Sequence, residues 1–132
     1  MKIIIENGLP IARFELVYGS KIITFNNVLF DTGCAVTIFD TDLMAEIGLS
    51  LDFVEGIPTK MYGVGGYGEI CNQQIVNGLS IDGQLLDNYE IQLGMVSEMY
   101  GFDGLLGFDF MIKTGISIEF STLETEYRKS NH

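Results

Sequence analysis

The chain has 132 residues, 18 of them acidic and 7 basic, for a formal net charge of −11, with 47% hydrophobic and 19% charged residues. This composition excludes a disordered chain and favours a single compact, strand-rich domain with a real core. The charge argues against nucleic acid as a partner, because that affinity comes largely from Lys and Arg neutralising phosphates. No apolar run reaches the length of a membrane span, and residues 1–7 fall far short of a signal peptide's apolar stretch. The expectation is a cytoplasmic protein with no membrane partner. Two cysteines, Cys34 and Cys71, and one histidine are too few for a usual zinc ligand set, and both cysteines are read as free thiols. No metal and no cofactor is expected.

Residues 11–16 alternate apolar and polar side chains, the period of a half-buried strand, and Gly19-Ser20 is a turn. A second strand opens at Lys21-Ile22-Ile23-Thr24-Phe25, is interrupted by Asn26-Asn27, and continues as Val28-Leu29-Phe30 into Asp31. Val36-Thr37-Ile38-Phe39 is β-branched and aromatic, hence strand. Asp40 or Thr41 then caps a short helix through Glu46, ended by Gly48. Ile57-Pro58 breaks the chain ahead of a segment rich in glycine, Thr59-Lys60-Met61-Tyr62-Gly63-Val64-Gly65-Gly66-Tyr67-Gly68-Glu69-Ile70, which reads as a mobile hairpin. Residues 74–81 and 84–93 are strands around Asp82-Gly83, a strong two-residue hairpin signal. Leu105-Leu106-Gly107 leads into a short helix from Phe108, stopped by Gly115. Residues 116–120 alternate as a last strand, and the polar tail extends that strand or frays.

The apolar run into Asp31-Thr32-Gly33 carries the chemistry. Burying a carboxylate costs several kcal/mol, on the order of 3 or more, unless it is paired or hydrogen-bonded, so an acid here is placed for use. Gly33 allows a tight turn that brings amides to the carboxylate, and the Thr32 hydroxyl can reach a neighbouring loop. The plain alternative is a surface turn, since all three residues are common in turns. For the glycine-rich segment a phosphate-binding loop is disfavoured, because no Lys-Ser/Thr follows and no helix begins there. Asp103 reads as a turn residue, Asp109 as a helix-face residue and His132 as inert.

Taken together, these blocks resemble the retropepsins, the single-domain, homodimeric aspartic proteases of retroviruses and of some cellular proteins. Residues 29–39 resemble the family's apolar-Asp-Thr-Gly-Ala/Ser-x-x-Thr block, with Cys34 where Ala or Ser is usual. Residues 60–67 resemble the glycine-rich flap, 104–107 the apolar-apolar-Gly block, and 114–120 the strand that pairs across the dimer. The resemblance implies a mainly β, retropepsin-like (acid protease) barrel with one or two short helices, dimeric, over residues 1–120, with 121–132 as a C-terminal extension. It implies a homodimeric aspartic endopeptidase acting on extended peptide or protein segments. Asp31, one from each subunit, would be acid and base, Thr32 would brace the two loops, and Gly33 would shape the substrate floor. Tyr62, Gly63, Val64, Gly65, Gly66, Tyr67 and Leu105 would contact substrate. Two other readings stand beside it: the same fold as a silent dimerisation or peptide-binding module, and an unrelated small β-barrel binding protein.

Overall fold

A computed structural model describes residues 1–62 and 68–128. The fold begins as a meander of β1 (Lys2–Glu6), β2 (Leu9–Tyr18) and β3 (Lys21–Phe30). Asn7-Gly8 makes the first turn, both residues at positive φ. β2 pairs with β3 along one edge, and its other edge is shared by β1 at Leu9 to Arg13 and by β7 (Leu79–Ile81) at Leu16 to Tyr18. The expected interruption at Asn26-Asn27 takes the form of an irregularity within β3: the strand continues, but Ala12 pairs with Val28 and Phe14 with Phe25, so the two asparagines fall out of register with β2. The Asn26 and Asn27 amides instead donate to the Asp103 carboxylate at 3.3 and 3.1 Å, beside a register shift in the β2–β3 pair.

The next strand, β4 (Ile38–Asp40), starts later than expected because the chain bends at residues 35 and 36 and enters the strand only at Ile38. Helix α1 (Thr41–Glu46) is capped as anticipated, the Asp40 carboxylate accepting from the Leu43 amide at 3.3 Å. Pro58 lies inside β5 (Ile57–Tyr62) rather than breaking the chain ahead of it. That is tolerated because β5 is the outermost strand, where a missing N–H costs no ladder bond. It pairs with β6 (Gly68–Val76) up to Tyr62 opposite Gly68, as an expected hairpin would. The tip residues Gly63, Val64, Gly65, Gly66 and Tyr67 lie outside the described residues.

Each of the two long strands expected around Asp82-Gly83 is divided by a further turn, at Asn77-Gly78 and at Asp87-Asn88. The pieces are the end of β6, then β7, β8 (Gln84–Leu86) and β9 (Tyr89–Gly94). Gly78 and Asn88 adopt positive φ, as do Asp82 and Gly83 in the hairpin itself. A helix not foreseen, α2 (Val96–Tyr100), lacks a side-chain cap and ends at the left-handed Gly101. After β10 (Gly104–Leu106), α3 (Phe108–Thr114) is stopped by left-handed Gly115, as expected. The chain closes with β11 (Ile116–Glu119) and β12 (Glu124–Tyr127).

The protein is mainly β, with a ten-stranded mixed sheet in the order β5-β6-β9-β4-β10-β3-β2-β7-β8 and β1 on β2. The ladder does not return on itself, so the expected barrel is not closed. At one end stands β5, with Pro58, and at the other β8, three residues long and bonded to β7 alone. Residues 121–128, the described part of the tail, do not extend the last strand: β12 folds back on β11, and Tyr127 packs its ring edge-on to Phe110 at 6.4 Å. Its hydroxyl donates to Asp82 at 2.6 Å. The core centres on Phe14, Phe25 and Phe39, with ring centroids 6.2 and 5.5 Å apart, joined by Met44, Leu106 and Phe110. Among the described residues no helix is long and apolar enough to cross a membrane.

Candidate active site at the end of β3

Asp31 stands where parallel strands meet. β10 pairs parallel with β3, Leu105 opposite Leu29 and Leu106 opposite Phe30, and the Asp31 amide continues the ladder to the Leu106 carbonyl at 3.0 Å. β10 also pairs antiparallel with β4, which in turn lies parallel to β9. The chain between β3 and β4 therefore crosses the end of β10, and its residues are fixed by that crossing rather than by a free turn.

Within the loop Asp31 is half-buried, while Thr32 and Gly33 are exposed. The Gly33 amide donates to Asp31 Oδ1 at 2.9 Å, and the Cys34 amide to the Asp31 carbonyl at 3.2 Å. A Cβ at Gly33 would stand 3.2 Å from Asp31 Oδ1, so glycine keeps the amide close without crowding the carboxylate. The half-buried Cys34 thiol donates to the Val36 carbonyl at 3.0 Å. Burial pushes this thiol above its ordinary value, and the negative charges of Asp31 and Asp109 add to the rise.

The far end of the loop is held by side chains. Thr37 is fully buried, and its hydroxyl donates to Asp109 Oδ1 at 2.8 Å while accepting from the Gly107 amide at 3.1 Å. The Tyr89 hydroxyl donates to Asp109 Oδ2 at 2.9 Å and lies 3.1 Å from Thr37 Oγ1. Burial is the main cause that pushes the Tyr89 phenol far above its ordinary value. The Phe108 amide, at the start of α3, donates to the Cys34 carbonyl at 2.7 Å.

Of the residues singled out in the sequence, Asp31, Thr32, Gly33 and Leu105 come together at the β3–β10 end. Leu105 packs with Cys34 and Phe102 against the buried trio Ile38, Cys71 and Val96. Tyr62 closes β5, leading toward the tip residues that lie outside the described set. Asp103, read as a turn residue, lies at a bend and accepts from the distant Asn26 and Asn27 amides, and Asp109, read as a helix-face residue, faces inward to Thr37 and Tyr89. Tyr89 carried no local signal for this role, since it lies 52 residues from Thr37 and 20 from Asp109.

Beside the loop is an apolar groove of about 290 Å3, lined by Phe30 and Thr32, by Phe108, Met111 and Ile112 of α3, and by Ile116 and Ile118 of β11. A larger polar hollow of about 490 Å3 is lined only by residues of the β11–β12 hairpin and its end, Glu119, Glu124 and Glu126 among them, with none from the Asp31 loop. No three His, Cys, Asp or Glu side chains among the described residues gather as a metal site. No protein-family model matches the chain, and a search of curated proteins likewise finds no match.

Proposed function

We propose that the protein is a homodimeric aspartic endopeptidase of the retropepsin type, using Asp31 from each of two copies to activate water against a peptide carbonyl. One carboxylate takes a proton from the water while the other donates to the developing oxyanion or the leaving nitrogen. Two such groups within hydrogen-bonding distance share a proton and titrate as a pair, the pattern for which aspartic proteases are the standard example.

The observation that carries this reading is the state of the acids around the loop. Asp31 offers a half-exposed carboxylate held by the Gly33 amide. Both oxygens of Asp109 are taken by hydroxyls, and Asp103 is engaged with the Asn26 and Asn27 amides. Neither acid is available as a partner for Asp31 within the chain, so the second carboxylate comes from a second copy. The apolar groove starting at Thr32 contains no acidic residue, and in a chain of net charge −11 that is a face on which two copies meet without repelling. Thr32, exposed and lining the groove, would brace the two loops, and Leu105 would contact an extended substrate together with the hairpin of β5 and β6.

The test is a digest of a peptide library by the purified chain, followed by mass spectrometry, with and without a statine-type transition-state mimic. Mimic-sensitive cleavage that disappears in Asp31→Asn supports the endopeptidase. Peptide bound but left intact identifies the silent binding module, and a monomer that neither binds nor cleaves removes both.

A further inference from the structure

The Asp31 loop is held at its near end by backbone and at its far end by a carboxylate. At the near end Asp31 bonds to Leu106 and Phe108 to Cys34 through main-chain groups. At the far end Thr37 depends on Asp109. A threonine hydroxyl and a phenol each have one proton to give. Thr37 gives its proton to Asp109 Oδ1, and Tyr89 gives its own to Oδ2 at 2.9 Å, with Thr37 Oγ1 as a secondary acceptor at 3.1 Å. The remaining lone pair of Thr37 takes the Gly107 amide. The Asp109 carboxyl oxygens thus accept both side-chain protons that hold the far end of the loop. An amide in its place closes the same network, its NH2 facing the Tyr89 hydroxyl and the phenol proton turning to Thr37 Oγ1, whereas alanine leaves the buried Thr37 proton without its acceptor.

The ion pairs between described residues involve Asp82, Glu6 and Glu126, so among the described residues the Asp109 carboxyl is met by hydroxyl dipoles. Space at this junction is tight: a Cβ on Gly107 would lie 3.0 Å from Asp109 Oδ1 and 2.7 Å from the Cys34 carbonyl oxygen. Asp109, Gly107 and the loop backbone are thus in mutual contact, and movement of the carboxylate is passed to the residues that carry Asp31.

We propose that Asp109 is a positioning residue for Asp31, its carboxyl group clamping the far end of the loop through Thr37 and Tyr89. This rests on the endopeptidase reading for its effect on turnover, but the clamp has its own reporter in Cys34. That thiol lies between the two ends of the loop, half-buried, with its carbonyl bonded to the first residue of α3. Loosening the far end exposes it, and removing the Asp109 charge eases its ionisation.

The experiment compares Asp109→Ala, Tyr89→Phe and Thr37→Ser with the wild type in two measurements. One is kcat and KM on a cleaved peptide; the other is the rate of Cys34 alkylation by iodoacetamide, located by peptide mapping. Misplacing a reacting group by about 1 Å costs up to about 100-fold in rate, so Asp109→Ala is expected to lower kcat by about 10- to 100-fold with KM changed less than about threefold. It is also expected to raise Cys34 alkylation several-fold, while Thr37→Ser, which keeps the hydroxyl, behaves as wild type. Wild-type kcat and wild-type alkylation in folded Asp109→Ala overturn the clamp, as does a change confined to KM. Should the Ala variant not fold, Tyr89→Phe decides, since it deletes only one oxygen; an unchanged alkylation rate there overturns the proposal. If the wild type cleaves no peptide, the endopeptidase reading fails while the alkylation rates still decide the clamp.

Discussion

Gly107 and Cys34 are packed so closely that a methyl group on the glycine would stand 2.7 Å from the Cys34 carbonyl oxygen, and 2.9 Å from the carbonyl carbon of Val36. The backbone of Gly107 is extended, with φ −92°, so space and not conformation demands the absence of a side chain. Both close atoms are backbone and cannot swing aside. Gly107→Ala is therefore expected to cost about 1–3 kcal/mol, the usual range for overpacking, and to push the Asp31 loop off β10. The denaturant midpoint and kcat should fall together; an alanine variant with wild-type values for both contradicts the packing described.

Asp31→Asn keeps the oxygen that accepts the Gly33 amide, so the variant should fold and associate normally while losing hydrolysis. On the proposed two-copy site, mixing with wild type and exchange should give heterodimers with one carboxylate, which cannot be acid and base at once. With random pairing, activity at fixed total protein follows the square of the wild-type fraction, leaving about a quarter at equal mixing. Native mass spectrometry of differently tagged chains verifies exchange. A linear dependence, with about half retained, rules out the shared dyad.

Ile112 is 56% exposed and lines the groove that begins at Thr32. Ile112→Glu puts a charge on that face with little effect on the fold, within about 0.5 kcal/mol, since the site is largely solvated in one chain. Light scattering after size exclusion should then report a monomer, and hydrolysis should be lost. A fully active dimer of this variant moves the contact between copies away from the groove.

Two partly or fully buried phenols are expected to lower stability at alkaline pH. Burial first, then the charge of Asp109, raises Tyr89 against the opposing Thr37 hydrogen bond; burial and then Asp82 raise Tyr127. In the unfolded chain both ionise near 10. Above that value the unfolded state holds fewer protons than the folded one, so stability is fully present below about pH 10 and declines as pH rises toward the folded values. The decline amounts to about 1.4 kcal/mol per pH unit for a phenol such as Tyr89 that stays protonated, with a smaller, screened part from the more open Tyr127. Urea midpoints between about pH 9 and 11 check this, and Tyr89→Phe should flatten the fall.

The features legible in the sequence are those whose cause lies within a few residues. Asp82-Gly83 turns the chain because both residues tolerate positive φ, Asp40 caps α1 through an amide three residues on, and Gly115 stops α3 in the left-handed region. The Asp31-Thr32-Gly33 loop belongs with them, since the bond between the Gly33 amide and the Asp31 carboxylate spans two residues. What remained hidden depends on partners far along the chain. Asn26-Asn27 stays in β3 because Asp103, 76 or 77 residues away, takes its amides. Pro58 fits a strand because β5 has a neighbour on one side only, and β12 returns because Phe110 and Asp82 provide a place for Tyr127. Asp109 shows the difference most directly: its position on a short helix could be read from its neighbours, but its inward turn could not. Hydrogen bonds to Thr37 and Tyr89 exist only once β4, β9 and α3 are brought together, and burial makes leaving any of the three polar groups unpaired too costly for another arrangement.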